Sequence, residues 1–410
     1  MAATLPLPRV LAYGLLGMPL AFAALPLYVH VPGFYAFATG MDLALLGGIL
    51  LATRLLDALV DPWLGWLADR VPRRSMLVLA LLPFAAGFVA LLNPPETQVA
   101  VWLAGSLALT YLGFSAASVA YQAWGADVGG DSRGRTRLTA AREGFGLLGV
   151  VLAAALPGWL AASPVQGTAA LAWVLPPLLA IAALAALACV GAGPGRVAPA
   201  LAPLTSLRRV LADPGFRRLL LVFVANGLAA ALPATLFLFF VADVLRAPAA
   251  SGALLALYFV AGAASLPFWV ALAARRGRVV AWLLAIGLAT LAFAGAGLLG
   301  PGDVLPFAAI CLLSGLALGA DLALPAAIAA DLGERQGQAG ACFGVWNFAA
   351  KLNLALAAGL SLPLLGWLGY VPGGDRGLPA LIFAYALLPL AGKALAAFLL
   401  WRWRHFLEVR

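Results

Sequence analysis

The sequence predicts an all-α polytopic membrane protein whose twelve transmembrane helices form two six-helix pseudo-symmetric bundles. Three observations carry this prediction. Apolar residues make up 64% of the 410 residues and charged residues only 10%, with a mean hydropathy of +1.02. Long apolar runs recur along the whole chain, and basic residues are concentrated in every second connection. Since soluble proteins carry about a quarter charged residues, a soluble enzyme and a disordered chain are both excluded.

Apolar runs of about 20 residues, long enough at about 1.5 Å per residue to cross a bilayer, divide the chain into twelve spans. The predicted spans lie near residues 9–31, 43–67, 75–93, 98–121, 143–162, 168–191, 217–243, 251–273, 279–299, 304–330, 340–366 and 379–401. We therefore predict an N-terminal bundle over 1–192, a proline-containing cytoplasmic linker over 193–216 and a C-terminal bundle over 217–410.

The connections alternate in charge. Arginines lie in the even-numbered connections and at both ends of the chain, whereas the odd-numbered connections hold only Arg246 and Arg376. By the positive-inside rule, both termini are expected in the cytoplasm, and we expect a bacterial inner (cytoplasmic) membrane. Orientation and contact with anionic membrane lipid then explain the net charge of +9, so no nucleic acid partner is needed.

An internal repeat supports the division into six plus six spans. Three short motifs recur in the same order at an offset of about 205 residues, which is typical of parallel six-span repeats in transporters. The pairs are Leu67–Arg70 with Leu272–Arg275, Ala24–Pro26 with Ala231–Pro233, and Ala126–Gly129 with Ala330–Gly333. In the first pair Arg73 aligns with Arg278.

No pattern of an enzyme site is present. The three cysteines lie in apolar runs without paired spacing, and the two histidines, His30 and His405, lie far apart. Zinc sites and Ser-His-Asp triads need such residues in defined groups. We therefore expect no enzymatic activity and no cofactor.

Span 2 carries three charged side chains, Arg54, Asp57 and Asp61, at spacings that place them on one helix face. A charge at the centre of a span costs about 2.5 to 3.5 kcal/mol, so this face is expected to point inward. Two carboxylates one turn apart can offer oxygens to Na⁺ or bind a proton, which predicts a cation-coupling site. The alternative is that Arg54 and Asp57 only neutralise each other as a buried ion pair.

The chain has only two lysines, Lys351 and Lys393, and both are predicted inside spans. Lysine is a compact point charge that can lose its proton when desolvated, so Lys351 in the middle of span 11 is a candidate switchable counter-ion to Asp57. Lys393 lies within about nine residues of the end of span 12, and we expect it to reach the interface by snorkelling.

Two motifs resemble a known superfamily and one of its families. The stretch between spans 2 and 3 is similar to the loop motif that the major facilitator superfamily has at this position. The residues that carry the similarity are Gly65, Asp69, Arg70, Arg73 and Arg74. Residues 54–62 resemble the second-span signature of the glycoside-pentoside-hexuronide:cation symporters, the family of the melibiose carrier. Residues 135–142 and 348–351 support the same resemblance.

The resemblance implies a secondary active transporter that carries a small organic solute, such as a glycoside, together with Na⁺ or H⁺ by alternating access. It implies coupling roles for Asp57, Asp61 and Lys351 and a substrate contact for Arg142, which on the residues alone is equally an interfacial anchor that pairs with Glu143. The candidate substrate-binding residues are Arg142, Arg54, Tyr121, Gln122, Trp346, Asn347 and Asn226.

Some polar and small residues have a structural interpretation as well. Asn226 and Asp321 can bind a ligand or cross-link helices. Gly315 and Gly319 form a GxxxG motif in span 10, which predicts close helix packing.

The sequence departs from the sugar-transporting members of that family in two places. Those members carry an acidic residue in span 1 after a Tyr-Gly pair and another in span 4. Here no acid follows Tyr13-Gly14, and span 4 has Ala116-Ala117-Ser118. A lysolipid or other amphiphile is therefore an alternative substrate, and an uncoupled facilitator is an alternative mechanism. We expect a monomer whose partners are membrane lipid and a small-molecule or lipid-like substrate.

Overall fold

The computed structural model describes residues 5–68, 71–129, 132–191, 208, 210–335 and 339–407. Every regular element in these ranges is helical. Twelve of the helical segments are long and apolar enough to cross a membrane. The predicted all-α class and the twelve spans are therefore confirmed.

Span 1 is the least regular helix of the first half. It runs as Leu7–Leu15 and Gly17–Leu25, passes through a π-helical turn at Pro26–His30, and continues as Val31–Thr39. Proline has no N–H to donate, which breaks the regular bonding pattern at this turn. Spans 2 to 6 are Leu43–Ala68, Arg73–Leu91, Val99–Gly129, Ser132–Leu160 and Pro164–Cys189.

The second half begins at span 7, Pro214–Phe239, where the Asp213 carboxylate caps the helix by accepting the Phe216 N–H at 2.6 Å. A π-helical turn at Phe240–Val244 completes this span. Spans 8 to 11 are Ser251–Arg276, Arg278–Ala294, Val304–Arg335 and Ala339–Trp367. Span 12 consists of Leu378–Ile382, a π-helical turn at Phe383–Leu387 and Leu388–Arg402.

The chain divides into two compact units. Unit 1 comprises residues 1–41 and 49–199, and unit 2 comprises residues 42–48 and 200–410. The residues at the start of span 2 thus group with unit 2, which the sequence did not indicate. Most of the predicted linker, 193–216, lies outside the described residues.

Small residues allow helices to approach closely within unit 1. In spans 3 and 4, a methyl group added at Gly87 would overlap Thr110, and one added at Gly113 would overlap the backbone of Phe84. Without a hydrophobic driving force between helices in lipid, such close backbone contact supplies much of the association energy.

The GxxxG motif of span 10 serves the same purpose in unit 2. A methyl group at Gly315 would overlap the Tyr258 carbonyl, and one at Gly319 would overlap Ser265 and the Gly262 carbonyl. The predicted close packing is confirmed, and the partner helix is span 8. Next to this contact, Trp269, Trp282 and Trp346 belong to one buried apolar cluster.

Many large apolar side chains lie on the outside of the helices. They include Trp63, Trp159, Leu291, Leu305 and Trp367. An apolar exterior of this extent is unfavourable in water and matches the acyl chains of a bilayer. The polar side chains described below are therefore exceptions inside the helix bundles.

Candidate functional site

Asp57 in span 2 is the centre of a buried polar group in unit 1. The residue is only 6% exposed. Its Oδ1 accepts a hydrogen bond from the Ser115 hydroxyl of span 4 at 2.6 Å, and its Oδ2 lies 3.5 Å from Nη1 of Arg54. The Arg54 contact is the ion pair that was considered as the alternative to a cation site. Ser115 was missed, because a contact between residues 58 positions apart leaves no periodic signal in the sequence.

Arg54 lies between an acidic and an aromatic partner. Its side chain is 11% exposed, and its guanidinium carbon lies 4.4 Å from the centre of the Tyr111 ring. Charge-assisted hydrogen bonds between nitrogen and oxygen are about 2.7 to 2.9 Å long, so the 3.5 Å contact with Asp57 is a loose ion pair. The cation–π contact with Tyr111 also stabilises the arginine.

Asp61 lies one turn beyond Asp57 and is partly buried. The described residues contain no group of three or more His, Cys, Asp or Glu side chains that would hold a metal ion. A Na⁺ ion at these two carboxylates would therefore need further oxygens from hydroxyl or carbonyl groups. The Ser115 hydroxyl, which contacts the Asp57 carboxylate, is one such group. The two-carboxylate cation site stays a prediction.

Arg142 at the start of span 5 forms a local ion pair. Its Nε and Nη2 lie 3.1 and 2.6 Å from Oε1 of Glu143. The Arg142 side chain is 25% exposed and that of Glu143 is 68% exposed. The local pairing considered as an alternative is thus present, and the guanidinium keeps donors that this pair does not use.

Tyr121 takes part in helix packing. Its hydroxyl donates to the carbonyl of Tyr13 at 2.5 Å, and the Tyr13 hydroxyl donates to the carbonyl of Tyr121 at 3.1 Å. The two ring centres are 4.5 Å apart. This reciprocal contact joins spans 1 and 4 and already uses the Tyr121 hydroxyl. The next residue, Gln122, is exposed.

The arginines of the loop motif bind backbone carbonyls of neighbouring helices. Arg73 forms an ion pair with Asp127 and donates to the Ala123 carbonyl at 2.8 Å, while Arg74 donates to the Leu187 carbonyl at 2.5 Å. Leu187 lies in the last turn of span 6, where the carbonyls carry partial negative charge that favours such a contact. Asp69 and Arg70 lie outside the described residues, as does the side-chain environment of Gly65.

The equivalent contact occurs in unit 2, since Arg278 donates to the Ala327 carbonyl at 3.2 Å. Arg278 and Ala327 are the counterparts of Arg73 and Ala123 in the repeat. Each half thus uses the same arginine at the start of its third helix to hold its fourth.

Span 11 carries three of the predicted residues. Lys351 is partly buried, Asn347 is exposed, and Trp346 stacks on Phe223 of span 7 with 3.7 Å between ring centres. The proposed counter-ion role of Lys351 toward Asp57 stays a prediction.

A second buried polar group joins four spans of unit 2. Oδ1 of Asp321 accepts from Nδ2 of Asn226 at 2.9 Å and from Nε1 of Trp282 at 2.7 Å. Nζ of Lys393 donates to Oδ2 of Asp321 at 2.9 Å and to Oδ1 of Asn226 at 2.8 Å. We call these four residues the unit 2 polar cluster; they come from spans 7, 9, 10 and 12.

The expectation that Lys393 snorkels to the interface is wrong. The residue is 8% exposed, and its ammonium group turns inward to a carboxylate and an amide. The physical reason is that Asp321 offers a full opposite charge inside the unit, which compensates the lysine without any need to reach water. Of the two interpretations of Asn226 and Asp321, cross-linking of helices is what their contacts provide.

The profile of the family described as MFS/sugar transport protein matches residues 10–404. Among curated proteins, no sequence matches significantly.

Solved structures of similar fold include three transporters. A bacterial homolog of the human lysosomal transporter Spinster, inward-facing and unoccupied, has a TM-score of 0.72 at 16% identity over 98% of this chain and 97% of that one. The nucleoside transporter NupG has a TM-score of 0.73 at 12% identity over 99% of this chain and 100% of that one. A bacterial homologue of the iron transporter ferroportin, inward-facing, has a TM-score of 0.69 at 18% identity over 97% and 99%.

At these identities the structures show the fold and no more, whereas the family profile spans nearly the entire chain. The family profile identifies a membrane transporter and not an enzyme. The narrower resemblance to the glycoside-pentoside-hexuronide:cation symporters stays a prediction. The chain belongs to the MFS/sugar transport protein family, within the major facilitator superfamily.

Proposed function

We propose that the protein is a cation-coupled symporter that carries a small organic solute, such as a glycoside, by alternating access. Na⁺ or H⁺ binds at Asp57, with Asp61 as the second carboxylate. The observation that carries this proposal is the buried carboxylate of Asp57, which accepts a hydrogen bond from the Ser115 hydroxyl and lies 3.5 Å from the Arg54 guanidinium.

A buried charge in a membrane span is costly, and such charges commonly mark ion pathways. If Arg54 served only to neutralise Asp57, a close bidentate pair would be the most stable arrangement. The 3.5 Å separation and the competing contact of Arg54 with Tyr111 leave the carboxylate exchangeable. A cation that binds Asp57 replaces part of the charge of Arg54 at little cost.

The same exchange gives a reason for coupling. When a cation neutralises Asp57, the Arg54 guanidinium loses its acidic partner and its donors can bind hydroxyl or acidic groups of a solute. Arg142 supplies similar donors at the start of span 5, on condition that its pair with Glu143 opens. The description of the matched family, which includes sugar transport, supports a polyhydroxylated solute.

The test is uptake into proteoliposomes that contain the purified full-length protein. Radiolabelled glycosides, organic acids and lysolipids are first selected by thermal-shift screening with and without Na⁺, and are then offered under Na⁺ and pH gradients. We expect glycoside uptake to rise with one of the two gradients and Asp57→Asn to abolish that rise.

The matched control is Asp42→Asn, since Asp42 lies on the exposed start of the same helix and only caps it by accepting the Leu45 N–H at 2.9 Å. Uptake that ignores both gradients, in the wild type and in Asp57→Asn alike, contradicts coupling and indicates a facilitator. Uptake of lysolipids but of no glycoside contradicts the substrate class and favours an amphiphile carrier.

A further inference from the structure

A groove opens on the outside of unit 2, between spans 8, 9 and 10. Its volume is about 460 Å³. The residues that line it include Ala264, Phe268, Trp269 and Leu272 of span 8, Leu284 of span 9 and Leu316 of span 10. Phe268 and Leu284 are 60% and 54% exposed, so the groove is open on the apolar exterior of the protein.

The surface inside this groove is apolar. Its lining includes two side chains with a hydrogen-bond donor, Ser265 and Trp269. Both already donate to backbone carbonyls, Ser265 to Gly262 at 2.9 Å and Trp269 to Leu316 at 2.7 Å. A polyhydroxylated solute would lose its hydration here and find few partners for its hydroxyl groups. An acyl chain gains close packing contacts in such a recess and gives up no hydrogen bonds.

Two arginines lie at one end of the groove. Arg275 and Arg276 are the last residues of span 8, three and four positions beyond Leu272, which places them on the helix face that lines the groove. Both arginines are exposed, and among the described residues neither takes part in an ion pair. From Leu272 the lining of span 8 continues to Ala264, about 12 Å further along the helix. One surface thus combines two cationic groups at its end with an apolar recess along its length.

We propose that this groove is a binding site for one anionic phospholipid, with an acyl chain between spans 8, 9 and 10 and the headgroup phosphate at Arg275 and Arg276. A guanidinium group donates two parallel hydrogen bonds to phosphate oxygens, and two adjacent guanidinium groups favour a headgroup with a net negative charge. Basic residues beside a recess between membrane helices are typical of sites for anionic lipid headgroups. A zwitterionic phospholipid offers the same acyl chain, but its cationic group is repelled by the arginines.

Orientation of the spans alone does not account for both arginines. By the offset of about 205 residues that aligns the two halves, Arg275 corresponds to Arg70, but Arg276 corresponds to Val71. The second charge beside the groove is therefore not part of the repeat that the two halves share. A lipid chain in the groove contacts three spans of unit 2 at once, so its binding to the folded protein should stabilise that unit.

Native mass spectrometry and thermal unfolding of the purified full-length protein in detergent test the proposal. The probes are dioleoyl phosphatidylglycerol, which is anionic, and dioleoyl phosphatidylcholine, which is zwitterionic and has the same acyl chains. We expect the wild type to bind phosphatidylglycerol roughly 10-fold more tightly, because two arginines attract its headgroup, and to melt at a higher temperature with it. Arg275→Gln combined with Arg276→Gln should remove most of this preference.

The matched control for charge is Arg217→Gln combined with Arg402→Gln. It removes the same two charges from exposed arginines near the ends of spans 7 and 12, and it should keep the preference for phosphatidylglycerol. The recess is tested by Ala264→Leu, which fills part of the groove and should weaken the binding of both lipids. Its control is Ala274→Leu, at an exposed position of the same helix outside the groove lining, which should bind both lipids as the wild type does.

Three results overturn the proposal. Equal binding of the two phospholipids by the wild type leaves no headgroup site, and an equal loss of preference in the two double arginine variants assigns that preference to net charge. Unchanged binding in Ala264→Leu, or a lipid-free dimer of the wild type in the presence of phosphatidylglycerol, shows that the groove does not hold the lipid. None of these measurements needs a transported solute, and Asp57→Asn should bind both lipids as the wild type does. Failure here is therefore distinguishable from failure of the proposed symport.

Discussion

The ammonium group of Lys393 in span 12 lies 2.9 Å from Oδ2 of Asp321 in span 10, and both side chains are largely buried. In this ion pair the two opposite charges neutralise each other inside the C-terminal unit. Of the two lysines in the chain, Lys393 thus has a carboxylate partner within its own unit. The predicted coupling role belongs to Lys351 alone, because Lys393 is paired with Asp321.

Trp282→Phe should destabilise the protein more than the same substitution of a tryptophan whose N–H donates to an uncharged acceptor. The indole N–H donates to the charged Oδ1 of Asp321 at 2.7 Å, and bonds to charged groups contribute about 1.5 to 3 kcal/mol. The control is Trp269→Phe, whose N–H donates at 2.7 Å to the uncharged carbonyl of Leu316, with an expected cost of about 0.5 to 1.5 kcal/mol.

Thermal unfolding of the two purified variants gives the comparison. A loss of stability in Trp269→Phe equal to or greater than that in Trp282→Phe would show that Asp321 carries no special energetic weight.

The sequence predicted the helices well because the membrane imposes a simple rule on composition. Each span requires about 20 apolar residues and arginines lie at the span ends, so the spans can be located from the sequence alone. The Gly315 and Gly319 packing was likewise predictable from a local motif. The Arg54 and Asp57 contact follows from helical periodicity.

Contacts between distant spans were not predictable. Ser115 and Asp57, or Lys393 and Asp321, meet only because helices 58 and 72 residues apart in sequence lie side by side. The position of Lys393 near the helix end favours snorkelling, but its carboxylate partner Asp321 lies on another helix. A buried polar residue in one span predicts that a partner exists, but not which span supplies it.

Gly315→Ala should loosen the contact between spans 8 and 10, because the added methyl group overlaps the Tyr258 carbonyl. Overpacking of this kind costs about 1 to 3 kcal/mol. Gly287→Ala in span 9 is the control, since nothing lies within 4 Å of the added methyl group and alanine is the better helix former.

We therefore expect a lower melting temperature for Gly315→Ala and an unchanged or slightly higher one for Gly287→Ala. If both variants melt at the wild-type temperature, span 10 does not approach span 8 as closely as described.

Tyr370 in the connection between spans 11 and 12 should make the protein sensitive to alkali. Burial raises the pKa of the Tyr370 phenol, and the neighbouring Asp243 carboxylate, which accepts its hydrogen bond at 2.5 Å, raises it further. The phenol of the unfolded chain titrates near its ordinary pKa of 10.0. The stabilising effect is therefore fully present below that pH and is lost progressively as the pH rises above it.

Tyr370→Phe should lower stability at neutral pH by about 1.5 to 3 kcal/mol, through loss of the bond to Asp243, and should flatten part of the alkaline decline. Melting temperatures of both proteins from neutral pH to about pH 11 measure the two effects. An alkaline decline of the same steepness in the variant would assign that decline to other groups.

Ser115→Ala should weaken cation coupling while leaving the fold intact. The Ser115 hydroxyl donates to Oδ1 of Asp57 at 2.6 Å, and in the proposed cation-bound state its oxygen turns to the ion. Loss of the oxygen contact to the ion, at about the 1.5 to 3 kcal/mol of a polar contact to a charged group, corresponds to a roughly 10- to 100-fold higher cation concentration for half-maximal uptake. Maximal uptake at saturating cation should change less, because the carboxylate itself remains.

Ser106→Ala is the matched control on the same helix, since the Ser106 hydroxyl donates to the backbone carbonyl of Leu103 and not to a carboxylate. Cation titration of solute uptake in proteoliposomes separates the two variants. An equal shift in both would mean that any small change in span 4 alters coupling, and a shift in neither would remove Ser115 from the site. Only a shift confined to Ser115→Ala supports a cation bound between spans 2 and 4, because this hydroxyl of span 4 donates to the Asp57 carboxylate of span 2.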